Sequence, residues 1–168
     1  MRAVTLTLAA ALAAGPAVAQ TLSLSGEAGQ QATLSAAQFA ALPHLHLQVM
    51  QHGQPHAYDG VLLSDLLSRV GAPRGDGIKG RELATVVRVS AHDGYQVVVS
   101  LAETDAVTRA ARMIVADREA GAPLKPEEGP FRLVIEGDLR PARSARQVER
   151  IEVISLSTLS KATPAKGR

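Results

Sequence analysis

Short runs of alternating apolar and polar residues, each closed by glycine, proline or Asp-Gly, constrain this chain more than any other feature. The clearest is the run at 44–51, where Leu45, Leu47 and Val49 fall on one face and His44 and His46 on the other. A period of two is that of a strand, whose successive side chains point to opposite faces of a sheet. Residues 21–25 and 31–34 alternate in the same way around Gly26 and Gly29 and predict a first hairpin. Residues 84–91 and 95–101 flank His92-Asp93-Gly94, and Asp-Gly tolerates the left-handed conformations of a tight turn, so a second hairpin is expected there. The run at 147–155 predicts a last strand with Val148, Ile151 and Val153 inward. Residues 113–116 and 131–136 read as short buried strands, and 57–61 as an extended piece.

Between these runs the period changes. Ser35 is a good N-cap for a short helix over 36–42 that Pro43 stops. Residues 62–70 place Leu63, Leu66, Leu67 and Val70 on one helical stripe, closed by Gly71, and 102–111 also reads as helix. Residues 72–80 and 121–129 are expected as loops, and 140–146 as irregular. Without a regular βαβ rhythm, the expectation is an α+β fold, a single mixed-sheet domain with short helices. The domain runs over 20–156, and a flexible basic tail follows at 157–168.

The first 19 residues have a different character. Met1-Arg2, an apolar run at 3–14, the break Gly15-Pro16 and the Ala17-Val18-Ala19 triplet form the pattern of a secretory signal peptide cut after Ala19. The apolar run is too short to span a bilayer, which needs about 20 residues, so no membrane span is expected. The protein is expected to be secreted, and periplasmic if its source is Gram-negative.

Composition removes whole classes of function. The chain is 46% hydrophobic and 20% charged, enough to build a core without staples. It has no cysteine, which removes disulfides, thiolate metal sites, iron–sulfur clusters, covalent haem and cysteine nucleophiles. Only 2% of residues are aromatic, too few for a base-stacking platform. Setting aside Arg2, Lys161, Lys166 and Arg168 leaves 14 of the 18 basic residues against 16 acidic ones over 20–156. A near-neutral body offers no phosphate-neutralising stripe, so no nucleic-acid partner is expected.

Several segments occur in a characteristic order: Tyr58-Asp59-Gly60-Val61 leading into LLSDLLSRVGAP, then AHDGYQVVVSLAE, MIVADREAGAPL, EEGPFRLVIEGD and ARSARQVERIEV. Together they resemble the oxidoreductase molybdopterin-binding domain, the sulfite oxidase fold, and within it the short secreted proteins that carry part of that fold. The resemblance covers 55–154. It implies a mixed α+β sheet structure whose loops, in the full enzymes, hold a molybdenum cofactor ligated by one cysteine thiolate. Three departures accompany it. No cysteine is present; the segment before Pro55 is too short to supply the missing part of the cleft; and Ser144 stands where related short proteins commonly carry an aromatic residue.

Arg140, Arg143, Arg146 and Arg150 form the densest basic cluster. Guanidinium forks suit phosphate or carboxylate oxygens, so they could hold the phosphate of a pterin or another small anion. The resemblance implies the same, since basic residues of this region contact the cofactor in the enzymes. The structural alternative is a solvated edge paired with Glu149 and Glu152. Asp93 and Tyr95 line the cleft as acceptor and donor in one interpretation and serve only the hairpin in the other. Glu103 either caps the following helix or faces the same cleft. His44 and His46 are spaced to share a metal if the turn returns His52 or His56, while His92 lies apart; the alternative is solvent-facing strand histidines. No G-x-S-x-G elbow is present.

Three functions follow. The first is a non-catalytic exported binding module for a small anionic, pterin-like ligand or a periplasmic partner protein. The second is a molybdenum-cofactor oxidoreductase or a subunit of one, and the third a histidine-based metal-binding protein. No cofactor follows from the residues themselves; molybdopterin and molybdenum follow from the resemblance alone.

Overall fold

The computed structural model describes residues 20–159; the expected leader at 1–19 and residues 160–168 of the tail lie outside them. The chain opens with the hairpin β1 (Thr21–Ser25) and β2 (Gln31–Ser35), closed by a bond from the Gly26 N–H to the Gln30 carbonyl. Ser35 then caps α1 (Ala36–Ala40) through a reciprocal box. Its Oγ accepts from the Gln38 N–H at 3.2 Å, and its own N–H donates to Gln38 Oε1 at 2.9 Å. The helix is shorter than the expected 36–42 and buries one large side chain, Phe39, which packs on Phe131 at 4.8 Å between ring centroids.

The hairpin β3 (Leu45–Gln51) and β4 (Gln54–Leu62) follows. β4 is longer than the expected 57–61 because β3 pairs with it from Gln54 onward, and it also pairs with β7 (Met113–Glu119). That pairing begins at Tyr58, so Pro55 lies beyond it and its missing N–H costs no bond there. α2 (Leu63–Ser68) buries Leu63, Leu66 and Leu67 and is stopped by Gly71 at φ +78°. Two 3-10 turns, Gly75–Gly77 and Gly80–Ala84, lie in and just after the expected loop and lead into the hairpin β5 (Thr85–Ala91) and β6 (Gln96–Ser100). The rest comprises β8 (Ala122–Pro123), β9 (Arg132–Ile135), β10 (Val148–Ser155) and the helical turn α3 (Leu156–Leu159), where the chain was expected to leave the fold.

The expected helix at 102–111 does not form; only the 3-10 turn Ala102–Thr104 does. Asp105 diverts the backbone. Its carboxylate accepts from the N–H groups of Val107 and Gly75, both at 3.0 Å, offering an alternative to the helical ladder. These bonds, with Val107's first, hold the Asp105 carboxyl below its ordinary range despite its burial.

The strands form two sheets. One has the order β2-β1-β10-β5-β6, with β1 and β10 parallel. The other runs β3-β4-β7, with β8 and β9 both pairing the far edge of β7. The main core lies between them, where Leu22, Leu24, Val87, Val89, Val97, Val99 and Ile151 of the first sheet meet Val61, Met113, Val115, Leu133 and Ile135 of the second. A smaller cluster of Leu47, Val49, Tyr58, Ile114, Ala116 and Val134 occupies the opposite face of the second sheet. Apolar side chains on both faces explain why β7 begins with four buried residues instead of an alternating run. In β10 a bulge between Val148 and Arg150 resets the register, so Val148 and Ile151 both point inward although they are three positions apart.

Candidate functional site

The predicted residues Asp93, Tyr95 and Arg143 come together at one end of the first sheet. Asp93 Oδ1 accepts from the Tyr95 N–H at 2.9 Å, and Gly94 takes φ +85°, which is ordinary hairpin chemistry. The half-exposed Tyr95 donates its hydroxyl to the Ala142 carbonyl at 2.6 Å, tying the hairpin to the 3-10 turn Pro141–Arg143. Arg143 makes a two-pronged bond with Asp138, Nε to Oδ2 at 3.0 Å and Nη2 to Oδ1 at 2.6 Å. Glu103 approaches the same guanidinium at 3.9 Å while accepting the Ser100 N–H, so it both closes the turn and faces the arginine.

Sequence reasoning missed the continuation of this belt. Arg112 grips Glu136 with Nε at 3.0 Å and Nη2 at 2.9 Å, and Arg109 donates to the Glu136 carbonyl at 2.9 Å while lying 3.6 Å from Glu103. Hydrogen bonding from Arg112 holds the Glu136 carboxyl below its ordinary range against the effect of burial. Three guanidinium groups thus meet three carboxylates, leaving little net charge for an incoming anion. Arg146 lies 3.7 Å from Glu128, whereas Arg140 and Arg150 are exposed and have no carboxylate partner among the described residues.

Arg132 is the other residue the sequence concealed, because it reads as one position in a buried strand. It is 3% exposed, donates to Glu128 at 2.9 Å and to Gln51 at 3.1 Å, and lies over the Tyr58 ring at 5.1 Å. Its Nε is buried without a partner. Burial pushes the Tyr58 phenol up to about 12, the Arg132 charge opposing and the Glu119 and Glu128 charges adding. Glu119 moves the other way. Burial would raise its carboxyl, but the bond from His56 and the charges of His56 and Arg132 together lower it.

The histidines are distributed among separate carboxylates. His46 Nδ1 donates to Asp59 at 2.9 Å, His56 Nδ1 to Glu119 at 2.6 Å and His92 Nδ1 to Glu149 at 2.6 Å. His44 has the Leu42 carbonyl at 2.7 Å from Nδ1 and Asp117 at 3.0 Å from Nε2, so both ring nitrogens face acceptors. His52 sits in the β3–β4 turn at φ +51°. Among the described residues no three histidine, cysteine or carboxylate side chains gather as a metal group.

An open groove of about 800 Å³ lies on the outer face of the first sheet. Its floor includes Ser23, Arg88, Ser90, Gln96, Arg150 and Glu152.

The family model described as oxidoreductase molybdopterin binding domain matches residues 13–161. Among 28 matching chains of solved structures is one from the sulfane dehydrogenase SoxCD of Paracoccus pantotrophus, at TM-score 0.63 and 16% identity. The match covers 84% of this chain and 40% of that one, so this chain spans about two fifths of its structural relative. No curated protein matches.

Proposed function

From the premise that the chain belongs to the oxidoreductase molybdopterin-binding domain family yet contains no cysteine, we propose that it is an exported, non-catalytic binding module for a small, pterin-sized anion. The donor set carries this conclusion. The resemblance implies that one cysteine thiolate ligates molybdenum in the full enzymes, and the described residues provide only thioethers in unsuitable places as soft donors. Met113 is 1% exposed within the main core, and Met50 is 57% exposed on the outward face of an edge strand. The residues present therefore do not fit molybdenum. The belt is equally uninviting to an anionic cofactor, because Arg143 and Arg112 already hold carboxylates.

Export is supported by the leader pattern at 1–19, and anion binding by the arginines that retain no acidic partner, Arg140 and Arg150. The test is elemental analysis, with fluorescence of the oxidised pterin, on protein recovered from the periplasm of a host that makes molybdenum cofactor. Protein without stoichiometric molybdenum is the expected result. Molybdenum and pterin together, each near one per chain, would refute the proposal.

A further inference from the structure

The groove on the first sheet contains a cross-strand row with a distinctive charge. Parallel pairing sets Ser23 of β1 beside Arg150 of β10, antiparallel pairing sets Arg150 beside Ser90 of β5, and Ser90 in turn lies beside Gln96 of β6. All four line the groove. Neighbouring strands lie about 4.8 Å apart, so a seryl hydroxyl flanks the base of the arginine on each side, within a span of roughly 10 Å.

The next row shows what this one lacks. There Ser25, Glu152, Arg88 and Val98 are paired in order, and Arg88 holds Glu152 through Nε and Nη2, both at 2.9 Å. One row thus contains its own counter-charge. In the other, Arg150 has alcohols and a carboxamide as its cross-strand neighbours, and the two carboxylates nearby in the groove are engaged elsewhere, Glu152 by Arg88 and Glu149 by His92. A guanidinium fork flanked by hydroxyl donors matches the oxygens of a carboxylate or phosphate. The groove is large enough for a whole small ligand, with Gln20 and Thr21 on its rim to meet polar groups beyond the anionic one.

We propose that the row Ser23–Arg150–Ser90–Gln96 is the anion seat, taking the carboxylate or phosphate of a small polar molecule. Arg150 supplies the charge, and the two serines supply hydroxyl donors. This rests on the anion-binding function proposed above and places the contact on β10 instead of the Pro141–Arg143 turn.

The experiment is an amide NMR titration of the exported chain at low ionic strength, run in parallel with inorganic phosphate and acetate. Saturable shifts at Ser23, Ser90 and Arg150 are expected, and the tighter probe identifies the preferred head group. Arg150→Gln, an exposed substitution whose folding the same spectrum verifies, should weaken binding about tenfold or more, and Ser23→Ala with Ser90→Ala several-fold. Binding that survives Arg150→Gln but is lost in Arg143→Gln would overturn the seat and leave the binding-module function standing. No saturable shift with either anion would overturn both.

Discussion

Replacing Arg132 by alanine is expected to cost about 3 kcal/mol, and the structure shows where that figure arises. The side chain is almost fully buried, and its removal leaves the Glu128 carboxylate, 15% exposed, and the buried Gln51 carboxamide without their guanidinium donor. Breaking one partner of a buried ion pair costs about 3–5 kcal/mol, chiefly because the other charge stays in place without compensation. Arg146 approaches the same carboxylate at 3.7 Å but is largely solvated, so it recovers no more than about 1 kcal/mol. Removing both charges should be far milder: Arg132→Met combined with Glu128→Gln is expected to lose about 1 kcal/mol or less. The chain has no tryptophan, so urea unfolding followed by far-ultraviolet circular dichroism is the suitable assay. At about 2–4 °C per kcal/mol, the alanine variant should melt roughly 6–12 °C lower. A loss below about 1 kcal/mol for Arg132→Ala, or a double variant as damaged as the single one, would refute the ion-pair account.

Two further outcomes follow from packing and burial. The Tyr58 phenol, pushed from 10.0 to about 12, favours the folded state fully below pH 10, and that contribution disappears as pH rises through about 12. Phenolate absorbance should accordingly show one of the two tyrosines ionising together with alkaline unfolding, and its early ionisation in folded protein would contradict the burial described. Gly60→Ala would place a Cβ 2.2 Å from the Val115 carbonyl oxygen and 2.6 Å from Ala116 Cα, both backbone atoms that cannot rotate away. It should cost about 2–3 kcal/mol in the same urea assay, and an unchanged midpoint would show that β4 and β7 are not so tightly apposed.

What could be read from the sequence was local. The alternation around Gly26, the Asp-Gly turn at Asp93 and the Ser35 cap are each specified within a few residues, and all three form as expected. Family membership was legible because it too rests on ordered local segments. The failures arise where a partner comes from a distant part of the chain. The composition of 102–111 suits a helix, and nothing nearby announces that Gly75, thirty residues away, will donate to Asp105. Arg132 sits among apolar neighbours, while Gln51, Tyr58 and Glu128 reach it from three other segments. The arginine cluster was visible, but the carboxylates of Asp138, Glu103 and Glu128 that occupy two of its members were not assignable without the fold.

The position of β10 has a consequence for how this molecule comes into being. The last strand occupies the middle of its sheet, with β1 on one side and β5 on the other. Until it arrives, the hairpins β1–β2 and β5–β6 each wait with a bare edge, and Ser23 has to find a neighbour as far along the chain as Arg150. Such sequence-distant closure is slow, because the entropy of a long loop is spent before any pairing offsets it. In a chain delivered amino end first, the first sheet therefore cannot settle progressively. It stays open until β10 has emerged, and its completion coincides with the arrival of the strand that carries Arg150.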